Sequence, residues 1–306
     1  MKKLWVVCPC YFDTQSFAAL QSEAIKALSG LKDLSVNFLL IDDTAGRDPA
    51  IENFSSTANT KVILAPFNLG HQKAIVFGLR WLRTQAHDSD WIITMDSDGE
   101  DRPQDLPAML DKLTKFPDDI VLARRTERSE GLKFRISYQL YKIFFRVLTG
   151  RTVQTGNFSA YSVRTLGAMI NHPHFDRCYS MSLFSSKIPT QLVPLPRGHR
   201  FFGQSKMNIM SLVRHGLNML MPFLDHISFR GMLLFLLISL SGLAAGLAIV
   251  YVKLFTGLAI PGWASYALLG VLTLSAGSFG NLLVLFFMYT QMDSHYLMDL
   301  LKKNPK

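Results

Sequence analysis

The chain has 306 residues, 49% of them hydrophobic, and a formal net charge of +9. That length allows one large or two small domains. No motif interleaves basic and aromatic residues, so we expect no nucleic acid partner and attribute the charge to attraction toward anionic membrane lipid and phosphates. The three cysteines, Cys8, Cys10 and Cys178, are odd in number and form no C-x-x-C pair, so the sequence indicates neither a disulfide framework nor a zinc site. Cys8 and Cys10 are expected to be small buried side chains on one strand face.

The first 125 residues alternate between strand and helix patterns. Strands are predicted at 4–8, 36–41, 62–64, 91–95 and 119–123, and helices at 16–28, 70–84 and 106–113. This alternation predicts an α/β domain with a mostly parallel sheet that helices cover on both faces. Ligands of such sheets bind beyond the carboxyl ends of the strands.

Polar side chains follow four of these strands. They are Asp13 after the first strand, Asp42 and Asp43 at the end of the second, Asn68 after the third, and the acidic segment 96–101 after the fourth. Because the carboxyl ends of parallel strands share one edge, we expect all of them at the same edge of the sheet. That edge is the candidate site.

The segment "DSDGED" (96–101) gathers four carboxylates in six residues. A calcium loop starting at Asp96 would need glycine at its sixth position and glutamate at its twelfth, where the chain has aspartate and proline, so this reading is excluded. Asp101 and Asp105 are interpreted as acidic residues that stabilise the start of the helix near Asp105. Asp96 and Asp98 remain as an Asp-x-Asp pair suited to Mg²⁺ or Mn²⁺ shared with a substrate diphosphate.

Two long segments without charged side chains lie near the C-terminus, at residues 231–252 and 254–292. A bilayer core of about 30 Å needs roughly 20 apolar residues in a helix, so each segment is long enough to span. We predict a transmembrane hairpin at 229–292, with helices at about 231–252 and 266–291. A pair of buried core helices is the alternative.

Basic residues flank the predicted hairpin on one side. They are Arg214 and Arg230 before the first span and Lys302, Lys303 and Lys306 after the second, whereas the connecting loop holds only Lys253. The positive-inside rule then predicts a multi-pass protein of the inner (cytoplasmic) membrane, with the N-terminal domain and both termini in the cytoplasm.

Two further segments mix basic and apolar residues. Residues 133–151 predict an amphipathic helix on the membrane surface, and residues 207–228 predict a second, juxtamembrane one. A helix packed on the sheet is the alternative for each. The predicted organisation is a domain at 1–206, which includes the candidate interfacial helix, then the juxtamembrane helix, the hairpin and a cytoplasmic tail at 293–306.

Five ordered blocks resemble those of the family 2 glycosyltransferases. They are "VVCPCYFD" (6–13), "LLIDDTAG" (39–46), "NLGHQKAIVFGL" (68–79), "MDSDGEDRPQDLPAML" (95–110) and "RGHRFFGQSK" (197–206). Together with the two predicted spans, the blocks are most similar to the polyprenyl-phosphate glycosyltransferase subgroup. The resemblance covers nearly the whole chain.

The resemblance implies a GT-A (Rossmann-like) fold with a C-terminal two-helix transmembrane hairpin. It also implies a membrane-anchored inverting transferase that moves a sugar from a UDP- or GDP-linked nucleotide sugar to a polyprenyl (undecaprenyl or dolichyl) phosphate on the cytoplasmic face. Mg²⁺ or Mn²⁺ is the implied cofactor. Relatives often assemble as homotetramers.

The resemblance further implies roles for residues at matching positions. Those expected to bind the nucleotide sugar are Pro9, Tyr11, Asp13, Asp42, Asp43, Asn68, Gly70, Lys73 and Asp96. Those expected to hold the metal are Asp96, Asp98 and Glu100, and those expected to bind the acceptor phosphate are Arg125, Arg128, Lys133 and Ser137. The candidate catalytic residues are Asp98, Arg200 and Lys206.

Three departures from the family pattern bear on function. The family's Tyr-Asn-Glu is here "YFD" (11–13), and its Asp-Asp-Gly-Ser is "DDTA" (42–45), so the nucleotide specificity is open. Asn157 stands where relatives often carry an aspartate, and an amide cannot act as a base. A lipid phosphate is already anionic and needs no general base, whereas a hydroxyl acceptor does. The sequence therefore favours a phosphate acceptor.

Three other functions share parts of this sequence pattern. A processive polysaccharide synthase is excluded because the chain lacks a Gln-x-x-Arg-Trp motif. A glycosyltransferase that acts on another lipid or on a hydroxyl acceptor, and a catalytically degenerate membrane-bound binding protein, stay open.

Overall fold

The structure is a computed structural model that describes residues 2–31, 33–55, 59–125, 132–151, 155–172, 174–176, 178–203, 216–257 and 262–293. The chain divides into two units by internal packing. The sheet unit comprises Met1–Lys142 and Thr152–Pro222, and the hairpin unit comprises Ile143–Arg151 and Phe223–Lys306.

Seven strands form one sheet in the sheet unit. They are β1 Lys2–Cys10, β2 Leu34–Asp42, β3 Thr60–Leu64, β4 Trp91–Thr94, β5 Ile120–Arg125, β6 Thr155–Ser162 and β7 Thr190–Leu195. Their order is β3-β2-β1-β4-β6-β5-β7. Every neighbouring pair is parallel except the two that include β6. The predicted mostly parallel sheet is confirmed, but the sequence patterns did not predict β6 or β7.

Helices connect the strands and cover both faces of the sheet. They are α1 Thr14–Leu28, the short α2 Glu52–Ser55, α3 His71–Gln85, α4 Leu106–Lys115, α6 Val163–Met169 and α7 Tyr179–Ser185, with single 3₁₀ turns at Pro49–Ile51 and Pro103–Asp105. A further helix, α5 Leu132–Thr149, begins in the sheet unit, and its residues from Ile143 onward belong to the hairpin unit. The predicted helices α1, α3 and α4 match within two residues at each end.

Two buried clusters form the core, one on each face of the sheet. One contains Phe17 of α1 and Leu110 of α4, and the other contains Leu79 of α3 and Leu166 of α6. Strand residues divide between the clusters by alternation, as a pleated strand requires. Cys8 and Cys10 are buried in the first cluster, which confirms their interpretation as small core side chains.

The hairpin unit contains two long helices, α8 Leu224–Phe255 and α9 Trp263–Asp293. By length and composition both are able to cross a membrane, and only 6% of each apolar window is buried within the protein. So little burial argues against a pair of core helices. Both helices begin before the predicted spans, α8 by seven residues and α9 by three.

The two long helices pack closely where small residues face each other. A Cβ atom added to Gly242 of α8 would lie 2.0 Å from Oγ of Ser275 in α9. In the same unit, Arg230 closes the end of α5 by donating to the carbonyl of Val147 at 2.5 Å. Carbonyls in the last turn of a helix otherwise lack partners within that helix.

Several predicted features lie outside the described residues. They are Arg128, Lys206, the first nine residues of the predicted juxtamembrane helix and the tail after residue 293. The interfacial segment is helical as α5, but the side chains of Lys133 and Ser137 are also outside the described part of the chain.

Candidate active site

The carboxyl ends of β1, β2 and β4 meet at one edge of the sheet, as predicted. The Asp43 amide donates to the Cys10 carbonyl at 2.9 Å. The Ser97 hydroxyl donates to the Pro9 carbonyl at 3.0 Å and links the acidic turn to the end of β1. Both contacts follow from the parallel pairing of β1 with β2 and with β4.

Asp42 is the last residue of β2, and it and the following Asp43 accept hydrogen bonds from backbone amides of the neighbouring loops. Asp42 is buried and accepts hydrogen bonds from the Thr44 amide at 2.8 Å and the Gly46 amide at 3.1 Å. Asp43 accepts from the amides of Leu69 at 2.6 Å and Gly70 at 3.0 Å, and burial raises its pKa. Both side chains lie at the predicted nucleotide edge, where they also fix the loop geometry.

The other predicted nucleotide residues vary in exposure. Pro9 is buried, Tyr11 is 39% exposed, and Asn68 and Lys73 are exposed beside the start of α3. Gly70 has a φ of 80°, a left-handed conformation that favours glycine at the residue before α3. Their contact with a nucleotide remains a prediction.

The acidic turn folds back on itself after β4. Asp98 accepts from the Glu100 amide at 2.9 Å, and Asp101 accepts from the Asp96 amide at 3.0 Å. Asp101 is buried and pairs with Arg125 at 3.0 Å. The interpretation of Asp101 as a residue that stabilises the start of the helix is therefore wrong, because its buried carboxylate bonds to the Asp96 amide and to Arg125 instead.

A basic segment about 100 residues further along the chain lies on this turn. The Gly198 amide donates to the Glu100 carbonyl at 2.9 Å, and the Phe201 amide donates to the Asp98 carbonyl at 2.8 Å. Arg200 Nη2 lies 3.1 Å from Asp98 Oδ2 and 3.5 Å from Asp13 Oδ2. Three predicted site residues, Asp13, Asp98 and Arg200, are thus brought into one charged group.

Charge repulsion within the acidic turn perturbs its titration. Burial and the neighbouring Asp96 charge raise the pKa of Asp98 to about 6 and that of Asp101 to about 7. Burial would also raise the pKa of Asp96, but the charge and hydrogen bond of His71 outweigh it and hold that pKa below its ordinary range. Asp98 therefore bears an electrostatic cost that an added cation would relieve.

Two residues that the sequence did not predict as ligand contacts touch Asp96. His71 Nε2, at the first position of α3, lies 3.0 Å from Asp96 Oδ1. Asn157 Nδ2, from β6, donates to the same oxygen at 3.3 Å. His71 could have been predicted from the sequence, because it lies in the block "NLGHQKAIVFGL" at the same sheet edge. The position of Asn157 depends on β6, which the patterns did not predict.

Two of the three carboxylates predicted to hold a divalent cation are suited to that role in this structure. Asp96 and Asp98 offer the carboxylate oxygens that Mg²⁺ and Mn²⁺ prefer, and a cation would offset their repulsion. Glu100 instead pairs with Arg197 and lies 3.9 Å from Arg125. Across the described ranges, no group of three or more acidic, histidine or cysteine side chains converges to hold a metal. Asp96 and Asp98 are the better suited pair in this arrangement, and the three-carboxylate metal set with Glu100 stays a prediction.

Arg200 offers a further site for an anion. Its Nε atom is buried and has no hydrogen-bond partner among the described residues. A buried donor without a partner is costly, and a phosphate oxygen would satisfy it with a charge-assisted hydrogen bond. Arg125, by contrast, is held by Asp101.

The family model for glycosyl transferase family 2 matches residues 6–188. The match spans more than half of the chain and includes the carboxyl ends of β1, β2 and β4, but not the basic segment that contains Arg200. The chain belongs to this family. Family membership and the mostly parallel seven-stranded sheet confirm the predicted GT-A fold.

Two curated relatives are similar over most of the chain. Undecaprenyl-phosphate 4-deoxy-4-formamido-L-arabinose transferase from Sodalis glossinidius (strain morsitans) is 24% identical over 221 residues, 69% of this chain and 64% of that protein. The protein of the same name from Klebsiella pneumoniae (strain 342) is 26% identical over 280 residues, 87% of this chain and 80% of that protein. The chain thus matches just under two thirds of the first relative's length.

Solved structures are similar in fold. A mycobacterial protein superposes with a TM-score of 0.50 at 16% identity, over 74% of this chain and 75% of that chain. Glucosyl-3-phosphoglycerate synthase from Mycobacterium tuberculosis, in complex with Mn²⁺, uridine-diphosphate-glucose and phosphoglyceric acid, has a TM-score of 0.46 at 18% identity, over 74% and 80%. At such identities the likeness concerns the fold alone.

Proposed function

We propose that the chain is a membrane-anchored inverting glycosyltransferase. It transfers a sugar from a UDP- or GDP-linked nucleotide sugar to a polyprenyl phosphate, such as undecaprenyl phosphate, on the cytoplasmic face of the inner membrane. The observation that carries the proposal is the contact between Asp98 and Arg200 at the carboxyl edge of the sheet. It joins a carboxylate suited to Mg²⁺ or Mn²⁺ with a guanidinium suited to phosphate.

The lipid acceptor is supported by two independent features. Both curated relatives carry names that specify undecaprenyl phosphate. The hairpin unit supplies two helices long and apolar enough to cross a membrane, which would place the enzyme beside a lipid-linked acceptor. The basic flanks of those helices support cytoplasmic termini.

The reaction needs no general base from the protein. The acceptor phosphate is anionic at neutral pH, so its oxygen attacks C1 of the sugar directly. The phosphate oxygen–C1 bond forms as the bond from C1 to the diphosphate oxygen breaks, and the nucleoside diphosphate leaves with the bonding electron pair. Arg200, which pairs with Asp98, stabilises that leaving charge. When bound beside Asp96 and Asp98, a divalent cation supplies further positive charge.

The test uses membranes that contain the full chain, labelled UDP- and GDP-sugars, and undecaprenyl phosphate. We expect a labelled lipid whose formation stops on chelation of divalent metal. Asp98→Asn should lower the rate at least about 100-fold, because it removes a charge that acts on the transition state. Asp111→Asn is the matched control, since Asp111 lies exposed on α4 in an ion pair with Lys115.

Three outcomes would count against the proposal. Full activity of Asp98→Asn would remove the metal assignment, and equal transfer to undecaprenol would indicate a hydroxyl acceptor. Sugar binding without transfer, over the full panel of nucleotide sugars, would indicate a binding protein. The predicted homotetramer is a separate prediction, which light scattering of the purified protein in detergent tests.

A further inference from the structure

Asp96 is held through a single oxygen by side chains from two other elements of the sheet unit. His71 Nε2 lies 3.0 Å from Asp96 Oδ1, and Asn157 Nδ2 lies 3.3 Å from the same atom. Asn157 Nδ2 also lies 2.6 Å from His71 Nε2, and because both nitrogens donate to Asp96 Oδ1, they share this acceptor and form no hydrogen bond with each other. Neither contact uses Oδ2 of Asp96.

The orientation of the Asn157 amide follows from a chain of hydrogen bonds. The Ser180 backbone amide can only donate, and it donates to Gln72 Oε1 at 3.1 Å. That contact turns the Gln72 amide nitrogen toward Asn157, where it donates to Oδ1 at 2.6 Å. The Nδ2 group of Asn157 must therefore face Asp96, because its oxygen is already used. A backbone donor at the start of α7 thus determines which end of Asn157 meets the carboxylate.

Behind Asn157, a buried group of hydroxyls fixes its backbone. Thr94 Oγ1 donates to the Asn157 carbonyl at 2.6 Å. Ser159 and Tyr179 join Thr94 in hydrogen bonds of 2.6 to 2.8 Å. Fully bonded polar networks of this kind are rigid, since each lost partner would leave a buried group unsatisfied.

The start of α3 is fixed in a similar way. Asp43 accepts from the amides of Leu69 and Gly70, immediately before His71. This bidentate contact determines where α3 begins and hence where the His71 ring lies. Asp43 supports His71, and Ser180 supports Asn157, so both contacts to Asp96 rest on fixed elements.

We propose that His71, Gln72 and Asn157 are positioning residues that hold Asp96 in one orientation and direct its Oδ2 toward the metal-bound diphosphate. The inference rests on the proposed function for the identity of that ligand. Because Asn157 is neutral, it secures Asp96 without adding a further negative charge to a turn that already carries Asp96, Asp98, Glu100 and Asp101. Partners that orient a metal ligand typically affect metal affinity about 10–100-fold when removed.

The experiment measures binding of Mn²⁺ to the purified full chain by electron paramagnetic resonance, alone and with UDP or GDP. Asn157→Leu and His71→Leu should each weaken Mn²⁺ binding at least about tenfold. His71→Gln keeps a donor for Asp96 and should stay within about threefold of wild type. In the transfer assay, Asn157→Leu should lower kcat while the KM for undecaprenyl phosphate is unchanged.

Asn171→Leu is the matched control for the Asn157 change, since the Asn171 amide contacts only the Gly167 carbonyl of α6 among the hydrogen bonds described. It should bind Mn²⁺ as wild type does. If Asn157→Leu does not fold, Gln72→Leu decides the matter, because it leaves Asn157 in place but frees its amide to turn. We expect Gln72→Leu to weaken Mn²⁺ binding by a smaller factor.

The possible failures are distinguishable. Folded Asn157→Leu and His71→Leu proteins that bind Mn²⁺ as tightly as wild type overturn the positioning role and leave the proposed function intact. A wild-type protein that binds Mn²⁺ but transfers no sugar overturns the proposed function and leaves the positioning role intact. A wild-type protein that binds no Mn²⁺, with or without nucleotide, overturns the inference.

Discussion

Substitution of Gly198 by alanine tests whether the basic segment must lie on the acidic turn. A Cβ atom at this position would be 2.3 Å from the Gly99 carbonyl oxygen and 2.8 Å from Cγ of Arg102. Favourable contacts between non-bonded heavy atoms lie at about 3.5–4.0 Å, so the basic segment must move about 1 Å away from the acidic turn. The nearest atom belongs to the backbone, and no change of side-chain rotamer relieves the contact.

This displacement of the basic segment has two measurable effects, one on stability and one on the transfer rate. The hydrogen bonds from Gly198 to Glu100 and from Phe201 to Asp98 lengthen or break, and each contributes about 1 kcal/mol to stability. Arg200 moves away from Asp98 with the segment, and a misplacement of about 1 Å in a catalytic site can lower the rate roughly 100-fold. We therefore expect Gly198→Ala to lose about 1–3 kcal/mol of local stability and most of its transfer rate.

Two assays follow these effects separately. Hydrogen–deuterium exchange of peptides that cover residues 197–203 should be faster in Gly198→Ala, independently of any catalytic activity. Transfer of labelled sugar to undecaprenyl phosphate measures the second effect. Gly30→Ala is the control, because a Cβ at Gly30 meets no atom within 4 Å. Unchanged exchange together with a transfer rate within threefold of wild type would refute the reasoning.

Three further changes give expected outcomes in purified protein. Arg125→Met should lower the free energy of unfolding by about 2 kcal/mol, because buried Asp101 loses its charged partner. Gly242→Val should lower the thermal stability of the hairpin unit in detergent, since its Cβ would lie 2.0 Å from Oγ and 3.4 Å from Cβ of Ser275, so that rotation of the hydroxyl leaves no room for the two added methyl groups. Burial lowers the pKa of His172 from 6.5 to about 4. As the pH drops from about 6.5 to 4, the unfolded chain therefore binds a proton at His172 that the folded chain does not, and the free energy of unfolding falls. The melting-temperature difference between wild type and His172→Gln should shrink over that range.

Each of these changes has a control or a contradicting result. Asp111→Ala breaks an exposed ion pair and should change stability by less than about 1 kcal/mol. Gly270→Val adds the same side chain to α9 where no atom lies within 4 Å, and equal losses for Gly242→Val and Gly270→Val would contradict the packing argument. A melting-temperature difference between wild type and His172→Gln that stays constant from pH 4 to 6.5 would show that His172 titrates alike in folded and unfolded protein.

Local pattern alone determined much of this protein. Alternating strand and helix signals predicted the parallel half of the sheet, because hydrophobic periodicity reflects which faces are buried. The placement of Asp13 and Asp98 at one edge followed from the direction of parallel strands. The two long uncharged segments predicted the membrane-length helices, since span length is a property of sequence itself.

Only the tertiary structure decided which charged groups meet. Asp101 is interpreted as a helix-start residue from its neighbours in sequence, but it is buried and pairs with Arg125 at the end of β5. Asn157 lies 61 residues from Asp96 and reaches it because β6 runs antiparallel between β4 and β5. Strand order and register depend on the packing of the whole sheet, and the hydrophobic periodicity of a single segment does not reveal them. The carboxylates were therefore predictable from sequence, whereas the side chains that hold them in place were not.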